Sequence, residues 1–266
     1  MNRIDQLFAD KDSQILSVYF TAGYPRLNDT RGILEALQEH GADLTEVGIP
    51  FSDPIADGPV IQESGSRALS QGMTLELLFS QLRDCRKTIR IPILLMGYLN
   101  PVLQFGMDRF VRCCVETGID GVILPDLPLE EYEIHYRKKF QEQGLHLVFM
   151  ITPETGPERI GAIDRATGGF LYLVSSSSTT GKGKDLDRQQ NYFERVSRMG
   201  LTHPLLTGFG IRDRESFLKA CSHTRGAVIG TAFIQALSGP GDPARATADF
   251  LAGILGQSRT GGSKSR

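Results

Sequence analysis

Apolar residues in this chain come in short unbroken runs, and after each run they recur every three or four positions. The runs fall at 15–20, 43–47, 93–96, 121–124, 145–149, 170–174, 204–207 and 226–229. Strands covered on both faces have this continuous apolar character. The periodic stretches predict helices at 61–70, 74–88, about 105–117, 130–143, 156–166, 187–199 and 213–221, one from near 231, and a last at 243–255. Between the first two runs, Ile33, Leu34 and Leu37 mark a helix that opens at Asn28 or Asp29 and closes at His40-Gly41. Residues 2–10 place Ile4, Leu7 and Phe8 on one face of a short leading helix. Residues 256–266 carry no apolar anchor and are expected to be disordered.

Eight strand–helix units in a stretch of this length predict one α/β domain over 1–255, a (β/α)8 TIM barrel with an extra N-terminal helix. An open doubly wound sheet is the alternative, because pattern alone does not close a barrel. Composition adds limits. The 266 residues are 40% hydrophobic and 23% charged, as in an ordinary soluble protein, and the net charge of −2 gives no case for nucleic acid. No apolar run is long enough to span a membrane, and the N-terminus does not resemble a signal peptide. Cys85, Cys113, Cys114 and Cys221 form no C-x-x-C pair and are expected to be reduced thiols in a cytoplasmic protein.

In a (β/α)8 barrel the chemistry lies where strands run out into their following loops. Strand two carries Glu46 and breaks at Gly48 and Pro50 into a loop with Asp53 and Asp57. A carboxylate on a buried strand is costly, so Glu46 is either paired for structure or placed for chemistry. The other strand ends offer Phe20 and Thr21; Met96, Tyr98 and Asn100; Pro125 and Asp126; Ile151 and Thr152; and Tyr172 and Ser175. Gly181, Gly210 and Gly230, with Thr231, fall in the last three loops, where barrels hold phosphate on backbone N–H groups. Phe20, Met96, Tyr98 and Phe209 suggest a pocket for a flat apolar group on a phosphate-bearing arm. No strand carries a lysine for a Schiff base, and the five histidines match no metal spacing. What remains is a carboxylate acid/base pair, Glu46 and Asp57.

Residues 46–59, Glu-Val-Gly-Ile-Pro-Phe-Ser-Asp-Pro-Ile-Ala-Asp-Gly-Pro, resemble the signature of the tryptophan synthase alpha subunit family. Phe20-Thr21-Ala22-Gly23-Tyr24-Pro25, Met96-Gly97-Tyr98-Leu99-Asn100-Pro101, Pro125-Asp126-Leu127-Pro128 and Gly208-Phe209-Gly210-Ile211 agree in order, so the likeness covers about residues 2–255. The resemblance implies a barrel that cleaves indole-3-glycerol phosphate to indole and glyceraldehyde 3-phosphate without a cofactor. It also implies an αββα complex that passes indole to a pyridoxal-phosphate beta subunit.

It further implies that Glu46 protonates the indole ring, that Asp57 holds the indole N–H, and that Tyr172 orients the glutamate. Thr180 would bond Asp57 on closure, and Gly181, Gly210, Gly230 and Thr231 would cradle the phosphate. Cleavage of a carbon–carbon bond without Schiff base or metal needs an electron sink. A ring protonated by a glutamic acid of raised pKa supplies one, while an ionised Asp57 stabilises the cation. Loop 175–185 departs from the family's usual pattern but keeps Thr180-Gly181, and Thr231 stands where serine is commoner. Other readings are a sugar-phosphate isomerase type of barrel using Glu46 as base, and a non-catalytic activating subunit.

Overall fold

The computed structural model describes residues 1–174, 184–208 and 210–257, with 184–190 as backbone only. Its strands are β1 (Ile15–Thr21), β2 (Leu44–Gly48), β3 (Ile93–Met96), β4 (Gly121–Ile123), β5 (His146–Val148), β6 (Met150–Ile151), β7 (Leu171–Val174), β8 (Leu205–Gly208) and β9 (Gly226–Ile229). They pair in parallel in the order β5-β4-β3-β2-β1-β9-β8-β7-β6. The two ends of that row, β5 and β6, are joined by the single residue Phe149, so the row closes into the expected barrel. The expected fifth strand is therefore split. The Phe149 amide donates to the Thr167 hydroxyl (3.0 Å) instead of a ladder partner, while its carbonyl accepts from Tyr172 N (3.0 Å).

Side chains alternate across the wall, as the two-residue period of a strand requires. Leu16, Val18, Phe20, Val47, Leu95 and Leu147 point outward and pack against the surrounding helices. Ile15, Leu44, Leu94, Ile123, Val148 and Leu206 point inward. Fully buried large rings gather mainly in the outer layer, with Phe20, Phe110, Phe140, Phe217 and Phe233 all there. Each contributes about 1.5–3 kcal/mol by leaving water.

The leading helix, Arg3–Asp10, is a plug. Asn2 caps it by accepting from Ile4 N (2.9 Å), and its amide donates to the carbonyls of Asp120 and Gly144, just before β4 and β5. Ile4 and Phe8 thus enter the inner cluster at the end where the strands begin. The opposite end, where the strands finish, is left for other side chains.

Several helices differ from expectation. The stretch 74–88 divides, because Asp84 takes a left-handed turn (φ 62°) between the helix Leu75–Leu82 and a single tight turn at Cys85–Lys87. Residues 130–143 include a widened turn over Tyr132–Tyr136. An additional helix, Leu99–Phe105, follows β3; Pro101 sits in its first turn, where no amide is needed, and Asp126 accepts from Leu99 N at 2.8 and 3.0 Å. Gly256 (φ 68°) ends the helix Pro243–Leu255, and residues 258–266 lie outside the described residues. Among the described residues no helix is long and apolar enough to cross a membrane.

Candidate active site

Strand β2 is buried from end to end, and its alternation turns Leu44, Glu46 and Gly48 to the barrel interior. Glu46 is 0% exposed. Its Oε1 accepts a hydrogen bond from the Ser17 hydroxyl at 2.9 Å, and its Oε2 has no partner. Burial favours the neutral acid and raises the Glu46 pKa from 4.5 to about 8, against the opposing pull of the Ser17 hydrogen bond. The expected raised pKa is thus present, and among the described residues no arginine pairs with this carboxyl.

Asp57 reaches the same end from the loop after β2 and is half-buried. Burial raises its pKa to about 6, opposed by a hydrogen bond from the Tyr98 hydroxyl. At pH 7 it is mainly ionised, as expected, although less acidic than an ordinary aspartate. Tyr98 also holds the loop itself. Its hydroxyl accepts from Ala56 N at 2.9 Å and its ring lies 5.3 Å from that of Phe51. Asp53, by contrast, is exposed and its carbonyl accepts from Ile55 N (2.9 Å) within the loop's own turn.

Two tyrosines lean over glycines of the neighbouring strand. A Cβ on Gly48 would stand 2.2 Å from the Tyr19 hydroxyl oxygen, and one on Gly208 would stand 2.1 Å from that of Tyr172. Both positions therefore require glycine. Tyr19 is paired in register with Glu46, and its ring extends along the gap between Gly48 and Gly230, whose Cβ position lies 3.3 Å from Tyr19 Cδ1. Tyr172 lies inward on β7, and burial first, then the nearby Glu46, holds its phenol protonated. Met96 completes the inner face at the end of β3.

The expectation that Phe20 lines the site is corrected. Phe20 is 0% exposed in the outer layer, facing helices, and the residues of β1 that face the site are Ser17 and Tyr19. A one-residue step along a strand turns a side chain to the other face. The hydrogen bond to Glu46 comes from Ser17 rather than from Tyr172. Ser17 and Tyr19 were missed because β1 is buried on both faces and reads as one apolar run. The available signal was the one hydroxyl within the fully apolar run Ile15–Val18, since a buried hydroxyl needs a partner.

Gly210 (φ 74°) lies in the connection after β8, and Gly230 and Thr231 open the helix Thr231–Leu237 after β9. Because β8 and β9 are paired with Gly208 opposite Val228, these residues are brought to one side of the mouth. Thr180, Gly181 and Phe209 lie outside the described residues. Chemically, the site joins a buried carboxyl that is mainly neutral at pH 7 to a second that is mainly ionised, beside a glycine-lined edge suited to an anion.

A family model described as "Tryptophan synthase alpha chain" matches residues 6–253. A tryptophan synthase alpha chain of Parabacteroides distasonis is 52% identical over 252 residues, covering 94% of this chain and 98% of that one. Among solved structures, tryptophan synthase subunit alpha from Legionella pneumophila superposes with a TM-score of 0.88 at 35% identity, covering 97% and 98% of the two chains. A chain of the tryptophan synthase complex from Pyrococcus furiosus gives 0.83 at 34% identity, with 92% and 99% covered.

Proposed function

The chain belongs to the tryptophan synthase alpha chain family, whose members cleave indole-3-glycerol phosphate to indole for a beta subunit, and we propose that Glu46 and Asp57 carry out that lyase reaction here. Glu46 delivers its proton to the ring carbon that bears the glycerol chain. The ring becomes a cation, and Asp57, hydrogen-bonded to the indole N–H, stabilises it. The neighbouring glycerol hydroxyl then loses its proton to the carboxylate left on Glu46. The carbon–carbon bond breaks, its electron pair returns to the ring, and indole and glyceraldehyde 3-phosphate result. No net charge or electron is left over.

Tyr19, Tyr98 and Tyr172 frame the aromatic part of the pocket. Backbone N–H groups at Gly210 and Gly230 and the Thr231 hydroxyl receive the phosphate, joined by Gly181; Thr180 bonds Asp57, and Phe209 belongs to the apolar wall of the pocket. Indole goes on to the pyridoxal-phosphate-bearing beta subunit of an αββα assembly. The cytoplasm is the compartment of this reading, supported by four free thiols.

The observation that carries the proposal is a fully buried glutamic acid with one unpartnered oxygen and a pKa near 8, at the same end of the barrel as an aspartate near 6, with Tyr19 interacting with both. Environments that push two carboxyls apart in this way assign acid and base roles. The test is indole release from indole-3-glycerol phosphate. Glu46→Gln is expected to lose about 10³-fold in kcat, within the usual range for an acid/base group, while glycerol phosphate binding persists. Turnover by Glu46→Gln near the parent rate would sink the assignment.

A further inference from the structure

The two oxygens of Glu46 are not equivalent. Oε1 receives the Ser17 hydroxyl at 2.9 Å, and Oε2 is buried without a partner. Both residues are 0% exposed, so bulk solvent does not reach either oxygen. Strand register pairs Glu46 with Tyr19 and Ser17 with Leu44. The carboxyl therefore reaches back toward the start of β1 to meet the hydroxyl, while the Tyr19 ring leans the other way, toward Gly48.

A serine here is unexpected on packing grounds. Its neighbours along β1 are Leu16 and Val18, and its register partners are Leu44 and Val228, all apolar. A hydroxyl left unbonded in such a place costs about 1–3 kcal/mol, whereas alanine would fit with no such cost. The serine's single hydrogen is spent on Oε1. In a neutral carboxyl the carbonyl oxygen is the stronger acceptor, so the Ser17 bond to Oε1 favours placing the acid's own hydrogen on Oε2.

Resting on the reading of Glu46 as the acid, we propose that Ser17 is a positioning residue that fixes the Glu46 carboxyl and assigns Oε2 as the oxygen that carries the proton to the substrate. The same bond favours the ionised form, because it is donated to a carboxylate oxygen. The titratable groups with which Glu46 interacts are Tyr19 on β1 and Tyr172 on β7, both kept protonated by burial; Asp57 bears on Tyr19. Among the described residues Ser17 is thus the group that opposes the desolvation of Glu46.

The test is Ser17→Ala, measured as indole release by the full chain with its beta subunit across pH. The alkaline limb of kcat/KM, which reports the acid in the free enzyme, is expected to move to higher pH. At neutral pH kcat should fall about tenfold with KM within about twofold, the size of effect for one lost hydrogen bond. Ser17→Thr, which keeps the hydroxyl, should restore both. A carbon-13 NMR titration of the Glu46 carboxyl in parent and Ser17→Ala protein gives the same shift without using activity. An alkaline limb and titration that coincide with the parent's, with kcat unchanged, overturn the role of Ser17. Retained turnover in Glu46→Gln would instead overturn the assignment of the acid, so the two failures are distinguishable.

Discussion

Two buried carboxyls stand at opposite ends of the same barrel. Asp120, 3% exposed just before β4, is held by Arg3 (2.9 Å), by Arg86 and by Ile93 N (2.9 Å). Glu46, 0% exposed on β2, has one hydroxyl and an orphan oxygen. Where the strands begin, the interior is sealed by Ile4 and Phe8, and the charge beside that plug is neutralised. Where the strands end, glycines replace side chains, tyrosines lean over them, and a carboxyl is left underbonded. The difference lies in hydrogen-bonding capacity: the Asp120 carboxylate is bonded to capacity, as a group that serves the fold is, whereas Glu46 keeps one oxygen open, as the proposed acid requires.

Breaking the structural end should have the largest effect on stability. Asp120→Ala leaves Arg86 half-buried without its partner and frees the plug from β4, and is expected to cost about 3–5 kcal/mol in urea unfolding. Turnover per folded molecule should stay within about twofold. A loss of kcat as large as that of Glu46→Gln would mean that the two ends are not independent.

At the other end the sign reverses. Glu46 titrates near 4.5 when unfolded and near 8 when folded. Between those values the folded state holds the extra proton, so its contribution to stability falls as pH rises through the window. Glu46→Gln removes that penalty. It should be roughly neutral at pH 4.5 and stabilise by about 2–4 kcal/mol above pH 8, read from thermal unfolding at the two pH values. A gain equal at both would place the charge of Glu46 in a better-solvated setting than its burial implies.

The smallest effect falls on the loop between the carboxyls. Tyr98→Phe removes the hydrogen bond that lowers the Asp57 pKa and the one that holds Ala56 N. The acid limb of the pH–rate profile should move to higher pH, with kcat/KM down about tenfold. An unmoved limb would show that Tyr98 holds the loop without tuning Asp57.

Much of this was legible in the chain. Helix and strand order followed from hydrophobic period, and Glu46 stood out because a carboxylate within an apolar run has few structural reasons to be there. Asp57 stood out because prolines stiffen its loop. Failures have specific causes. Phe20 was chosen for its place at a strand end, but β1 is buried on both faces, and the hydroxyls of Ser17 and Tyr19 that mark its inward side were not weighed. The helix Leu99–Phe105 was hidden by Pro101, which reads as a breaker yet is harmless in a first turn. The split of the fifth strand at Phe149 depends on the Thr167 hydroxyl, eighteen residues on, which no local pattern reveals.

By itself the sequence determined the periodic order of strands and helices, the buried glutamate and the glycines that clear the mouth, because period and residue chemistry act locally. Only the tertiary structure decided that Tyr19 and Ser17 face inward, that Ser17 meets Oε1, and that Oε2 is left unpartnered. Those facts depend on the parity of β1 relative to β2. Parity is set when the barrel closes, by which face of each strand the helices cover and which the plug and the mouth enclose.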